Sequence, residues 1–338
     1  MIIGLYTSVF FNNIGNAFID LGAEQQIKAS LPDGAQLVKL SQCANFSASL
    51  GRLFDIKYNP IINWIWAGKL QKFINRHHDS AYTGVSTEDV FSPFRICEYD
   101  YIIIPGCVLT LSFFKLFGKV LEEKVIEGSK LIFWAASGNY YSASEIRYVK
   151  EWLNRLKPYA ISFRDSMAFE YYSQYSNNIY NGIDNVFFVN LLDIPLTRTT
   201  QSPYYVVNFD SRYNAKIKNE VLESIKGKNV VMTDHEPYPY RKIGRLAKQN
   251  VMCSDYPLDY LYIYRNTERT YSDRVHACIP TLSFGNEAQL FSDSPRISLF
   301  ENVGIDLELL KSKPITLDKN HLKTLQNNQI AFLKSLLV

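Results

Sequence analysis

A two-part α/β protein built on parallel sheets is the fold class this chain predicts. Short apolar runs alternate with segments of helical spacing along most of its length. The apolar runs are continuous rather than alternating, as in strands covered on both faces. A polar stretch with two prolines, DIPLTRTTQSP at 193–203, interrupts the rhythm near the middle. These observations divide the chain into a domain over 1–192, a linker over 193–203 and a domain over 204–338.

The first apolar run, residues 1–6, reads as a buried strand. Residues 15–28 follow with helical spacing at Ala17, Phe18, Leu21 and Ile27. The β-branched run 101–104 ends in Pro105-Gly106, as a parallel strand does where it meets its loop. A helix over 115–126, a strand over 130–134, a helix over 143–156, a strand over 159–163 and a helix over 165–174 complete the first half. Beyond the linker come a strand over 204–209, a helix over 215–225 and a strand over 229–233. Helices over 257–265 and after Asp273 follow, and a last helix over about 319–337 is grouped with the second half. Two such halves leave a cleft, and ligands of parallel sheets bind beyond the carboxyl ends of the strands.

Composition narrows the function. At 338 residues, 47% hydrophobic and 20% charged, the chain is globular and long enough for two domains. Its net charge of +3 comes from scattered residues, which argues against nucleic acid as a partner. The 23 tyrosines suit a surface that meets sugars, although an AT-biased genome gives the same enrichment. Five cysteines form neither a CxxC pair nor a metal-like cluster, which fits reduced thiols in the cytoplasm. The N-terminus lacks a basic, apolar export signal, and no apolar run approaches the 18 or so residues that span a bilayer. Residues 60–78 combine Trp64, Trp66, Ile65 and Phe73 with Lys69, Lys72 and Arg76. That is the composition of a helix lying on a membrane surface, but a helix that packs its tryptophans inward has it too and is the commoner case.

The candidate site residues lie where strands meet helices. Asn13, Gly15 and Asn16 follow the first strand and open the first helix, whose backbone amides suit an anion. The run is neither GxGxxG nor a Walker loop, so a dinucleotide or P-loop reading has little support. Arg164 ends a strand and could clamp an anion or pair with a carboxylate, while Asp165 caps the next helix. His235 follows the strand over 229–233 and could serve as an acid or base. The adjacent Asp234, His235 and Glu236 cannot all face one ion from an extended loop, so no metal site is expected. Arg274 and His276 join a fork for anions to a proton carrier. On a regular helix their spacing points them about 200° apart, so Arg274 must be extended with the helix starting near His276.

Together these residues resemble the polysaccharide pyruvyl transferase family. The resemblance is carried by Asn13-Ile14-Gly15-Asn16, by Asp100 to Gly106, by Phe163-Arg164-Asp165-Ser166, by Asp184, and by Ser272-Asp273-Arg274-Val275-His276-Ala277 leading to Gly285. It implies two Rossmann-like domains facing across a cleft in a glycosyltransferase-B-like arrangement. It also implies transfer of pyruvate from phosphoenolpyruvate, as a ketal, to a sugar of a cell-surface polysaccharide such as an exopolysaccharide or capsule, or of its precursor. Arg164 and Arg274 would hold the donor and His276 would be the acid, with no cofactor or metal. The acceptor would be a saccharide, and a lipid-linked one would bring a cytoplasmic protein into peripheral contact with the inner face of the membrane. The chain departs from the family where Cys107 replaces a glycine and Asn286 replaces a proline. A nucleotide-sugar glycosyltransferase of the same architecture is the alternative, with a non-enzymatic saccharide binder behind it.

Overall fold

The computed structural model describes residues 1–7, 14–41, 93–194, 203–209, 214–235, 246–254 and 256–338. The stretch 60–78, residue Asn13 and most of the 193–203 linker lie outside these.

The first half is a six-stranded parallel sheet in the order β2-β1-β3-β4-β5-β6. Its strands are β1 (Ile2–Thr7), β2 (Gln36–Ser41), β3 (Tyr101–Pro105), β4 (Lys130–Ala136), β5 (Ala160–Phe163) and β6 (Asn178–Asn181). Around it stand α1 (Ile14–Ser30), α2 (Leu111–Ile126), α3 (Ala143–Leu156) and α4 (Ser166–Tyr172). The central strand β3 is buried at every residue, which is why it reads as an unbroken apolar run. Side-chain caps set the helix starts: Thr110 Oγ1 accepts from Phe113 N at 3.1 Å, and Asp165 Oδ1 accepts from Ala168 N at 2.8 Å.

The second half is a five-stranded parallel sheet in the order β11-β10-β7-β8-β9. Its strands are β7 (Tyr204–Asn208), β8 (Asn229–Thr233), β9 (Val251–Met252), β10 (Arg269–Ser272) and β11 (Glu287–Leu290). Its helices are α5 (Ala215–Ser224), α6 (Pro257–Asn266), α7 (Val275–Ser283) and α8 (Leu307–Ser312), and the chain closes with α9 (Lys319–Leu336). In each sheet the chain starts in the middle, runs to one edge and returns to the other side of its first strand. The switch points lie between β1 and β3 and between β7 and β10, where α/β sheets bind ligands. The predicted α/β architecture of two parallel sheets is therefore present, and residues 193–203 lie between β6 and β7.

One core joins the two halves. Ile14, Phe18 and Ile19 of α1, together with Val186, Phe187, Phe188 and Val189, pack with Tyr260 and Tyr264 of α6 and with Ile279 and Leu282 of α7. Burying each such side chain contributes about 1.5–3 kcal/mol, so this seam is a substantial bond between the halves. Helix α1 comes so close to the Asn185–Leu191 turn that a Cβ at Gly22 would lie 1.8 Å from the Asn185 carbonyl oxygen. Only glycine fits there.

The terminal helix departs from its sequence-based grouping. Leu333, Leu336 and Leu337 pack on Ile3, Leu5, Ile103 and Trp134 of the first sheet. The Tyr101 hydroxyl donates to the Val338 carbonyl at 2.9 Å. The amphipathic stripe of α9 fits either half, and the open face of the first sheet takes it. Gln329 of α9 enters a buried amide chain, donating to Gln26 Oε1 at 2.8 Å, while Gln26 Nε2 donates to Asn185 Oδ1 at 2.8 Å. This chain braces the segment that carries Asp184.

Candidate active site

The site forms at the carboxyl end of β10. Ser272, fully buried, donates its hydroxyl to Asn208 Oδ1 at 2.9 Å and accepts from Arg274 N at 2.8 Å. Asn208 in turn donates to the Thr233 carbonyl at 3.0 Å. A row of polar side chains thus ties the ends of β8, β7 and β10 and holds Arg274 extended, at φ −111° and ψ 123°. Helix α7 starts at Val275, so Arg274 and His276 escape the opposed directions of a regular helix. Both line one cavity of about 520 Å³, together with His235, Asp273, Arg296 and Lys311.

His276 sits at the seam of the two halves. Its Nε2 is buried without a hydrogen-bond partner and lies 3.9 Å from Asp184 Oδ2, too far for a hydrogen bond. Its Nδ1 faces α1, where a Cβ on Gly15 would lie 2.7 Å away. Gly15 is therefore required by the imidazole. Burial holds the His276 pKa below 6.5, opposed by the Asp184 carboxylate and reinforced by the charges of Arg164 and Arg296.

Beneath the ring lies a buried ion pair. Arg164 Nη1 donates to Asp184 Oδ2 at 2.5 Å, and Arg164 Nε donates to Ser137 Oγ at 2.9 Å. Arg164 is 1% exposed and Asp184 fully buried. Burial alone would raise the Asp184 pKa, but the Arg164 guanidinium and the His276 ring hold it well below the carboxylate range. Asp184 also accepts from Val186 N at 2.8 Å, which starts the Asn185–Leu191 turn. Of the two readings of Arg164, anion clamp or partner of a carboxylate, the structure shows the second, so the donor contact expected of it needs correction. Its fork is spent on Asp184, 20 residues on, and on Ser137. Asp165 beside it accepts from Tyr141 and caps α4.

His235 is 2% exposed, and its Nε2 meets the Tyr264 hydroxyl at 2.5 Å. Burial, with the nearby charges of Arg274 and His276, keeps its pKa well below 6.5. Its carbonyl accepts from Ile14 N at 3.2 Å, so the first amide of α1 is used by the protein itself. Asn16 stands half-buried in the first turn of α1. The two departures from the family pattern have local tasks. Cys107 Sγ donates to the Gly138 carbonyl at 3.1 Å, and Asn286 Nδ2 donates to the carbonyls of Tyr264 and Arg265 at the end of α6. Among the described residues, no group of three or more His, Cys, Asp or Glu is placed to hold a metal ion. No described helix is long and apolar enough to cross a membrane.

In the sequence Asp184 stands in a motif without an evident role, and Arg296 and Ser137 stand in none. Their importance comes from strand ends brought together by the fold, a signal that spacing along the chain does not carry.

Two parallel-sheet domains share a core, and the second carries a cavity lined by Arg274, Arg296 and Lys311 at its switch point; this arrangement defines an α/β protein of the glycosyltransferase-B type. MnaA of S. aureus, solved with UDP, aligns with 99% of this chain and 90% of its own at a TM-score of 0.50 and 10% identity. UDP-GlcNAc 2-epimerase of Neisseria meningitidis, bound to UDP-GlcNAc, aligns with 99% of this chain and 93% of its own at 0.50 and 12%. At such identities the likeness is one of fold. No curated protein matches the sequence. The polysaccharide pyruvyl transferase profile matches residues 36–286, and the chain belongs to that family. Membership makes it a transferase of polysaccharide biosynthesis with a saccharide acceptor.

Proposed function

We propose that the protein transfers pyruvate from phosphoenolpyruvate to two hydroxyls of one sugar, as a ketal, in making a cell-surface polysaccharide or its precursor. The observation that carries this reading is the juxtaposition of His276 with Arg274 in one cavity, over the buried Asp184–Arg164 pair. A proton carrier beside an anion-binding arginine is what protonation of an enol phosphate requires.

Arg274 holds the donor's carboxylate or phosphate. Burial holds the His276 pKa below 6.5 and so favours the neutral ring near pH 7. An incoming polyanion favours the imidazolium, so the donor brings about the charge state of its own acid. His276 then gives its proton to the methylene carbon, leaving an oxocarbenium at C2. A sugar hydroxyl adds to C2, phosphate departs with the electrons of its C–O bond, and a second hydroxyl closes the ketal. Of the two hydroxyl protons, one restores His276 and the other leaves with phosphate. Asp184, 3.9 Å from His276 Nε2, steadies the charge of the imidazolium, and Arg164 is a positioning residue for Asp184. His235, kept neutral, forms a wall of the cavity and not its acid. The catalytic groups belong to the chain and the donor is a substrate; a lipid-linked acceptor fits a cytoplasmic protein at the inner face of the membrane.

The test is turnover of phosphoenolpyruvate with a panel of polysaccharide repeat-unit precursors, following phosphate release and the ketal carbon in the product. His276→Gln should lower the rate by about 10²–10⁴-fold. Near-normal turnover in that variant would sink the mechanism.

A further inference from the structure

Phosphoenolpyruvate carries two anionic groups on adjacent atoms of one small molecule, and Arg274 can take one of them. Arg164 cannot take the other without abandoning Asp184, because its guanidinium is buried and already bonded on two sides. The remaining cations of the cavity are Lys311 and Arg296. Lys311 lies between Asp293 at 3.4 Å and Glu308 at 3.7 Å, so its charge is shared with two carboxylates. Arg296 differs. Among the described residues its guanidinium meets one neutral acceptor, Asn139 Oδ1 at 3.1 Å, and forms no ion pair.

Its backbone is fixed. Arg296 lies in the first turn of the Pro295–Val303 segment, where its N–H donates to Ser294 Oγ at 3.4 Å. Leu299, Phe300 and Val303 anchor that segment in the shared core. The Asn139 loop opposite is equally set, since Glu145 Oε1 accepts from the backbone N–H groups of Tyr140 and Tyr141, each at 3.1 Å. Arg296 therefore reaches from the second half to a loop of the first, and it lines the cavity that holds Arg274 and His276.

Resting on the pyruvyl-transfer reading, we infer that Arg296 is the second anion-binding arginine of the donor site, and that it exchanges the Asn139 amide for an anionic group of phosphoenolpyruvate. An arginine poised on a neutral partner has little to give up when a charged one arrives, and a charge-assisted pair is the stronger bond.

Calorimetric titration of phosphoenolpyruvate into wild type, Arg296→Gln, Arg296→Lys and Asn139→Ala tests this without an acceptor. Losing one charge-assisted contact should weaken Kd by about 10–100-fold in Arg296→Gln, with a smaller loss in Arg296→Lys. Melting temperatures should stay near that of wild type, and Asn139→Ala should bind close to wild type. Wild-type affinity in Arg296→Gln overturns the inference. Equal losses in Asn139→Ala and Arg296→Gln also overturn it, because Arg296 would then be only a bridge between the halves. If wild type fails to bind phosphoenolpyruvate at all, the pyruvyl-transfer reading fails and the inference falls with it.

Discussion

Replacing Asp184 by asparagine removes one charge from a pair that water cannot reach. Arg164, 1% exposed, would keep its charge with Ser137 as its remaining partner. Breaking a buried pair on one side costs about 3–5 kcal/mol, because the orphaned ion has lost its solvation as well as its partner. Against a total stability on the order of 5–15 kcal/mol, that is a large fraction. At roughly 2–4 °C per kcal/mol, the melting temperature should fall by about 6–20 °C. The same substitution removes a charge that raises the His276 pKa, so the imidazole should titrate at still lower pH. Thermal denaturation measures the first effect and NMR titration of His276 the second. The double variant Asp184→Leu/Arg164→Met separates them. It leaves no buried charge, so much of the lost stability should return, while the His276 titration should stay displaced. An Asp184→Asn protein that melts within a degree or two of wild type, with His276 titrating unchanged, would refute the buried-pair account.

Gly15→Ala sets a methyl 2.7 Å from His276 Nδ1 and must push the ring aside, so turnover should fall by roughly 10²-fold with little loss of stability. Steady-state kinetics and a melting curve check this together. Stability should decline as pH falls below 6.5, because burial holds both His235 and His276 below that value and the unfolded chain then binds more protons. Melting temperatures between pH 7.5 and 5 should show a shallower decline in His235→Gln; equal slopes in the two proteins would contradict the assignment. Asn286→Ala leaves the last carbonyls of α6 without their side-chain donor and should cost about 1 kcal/mol without altering donor affinity.

The alternating elements were legible because interior parallel strands such as β3 and β4 are buried on both faces and must be continuously apolar. Strands β2 and β10 were not read from the sequence, nor were the short strands β6, β9 and β11. With four, two and four residues, and polar positions among them, they resemble loops until their neighbours are in place. At the site, Arg274 and His276 could be paired from sequence because β10 delivers both within three residues, and the extended Arg274 followed from helix geometry alone. The partner of Arg164 could not be read in that way. Asp165 stands next to it and looks the natural mate, but an N-cap and a tyrosine hydroxyl claim that carboxylate. The α1–Asn185 contact then brings Asp184 over the guanidinium. Arg296 carries no motif at all, and its relation to the cavity exists only once the Pro295–Val303 segment has folded beside the ends of β10 and β11.

The central claim, that the cavity of Arg274 and His276 accepts phosphoenolpyruvate, is tested most directly by calorimetric binding in buffers of different ionisation enthalpy, with UDP-GlcNAc run alongside. Saturable binding of phosphoenolpyruvate, coupled to proton uptake and lost in Arg274→Ala, is the predicted result. Binding of the nucleotide sugar alone, or phosphoenolpyruvate binding that Arg274→Ala leaves intact, would contradict it.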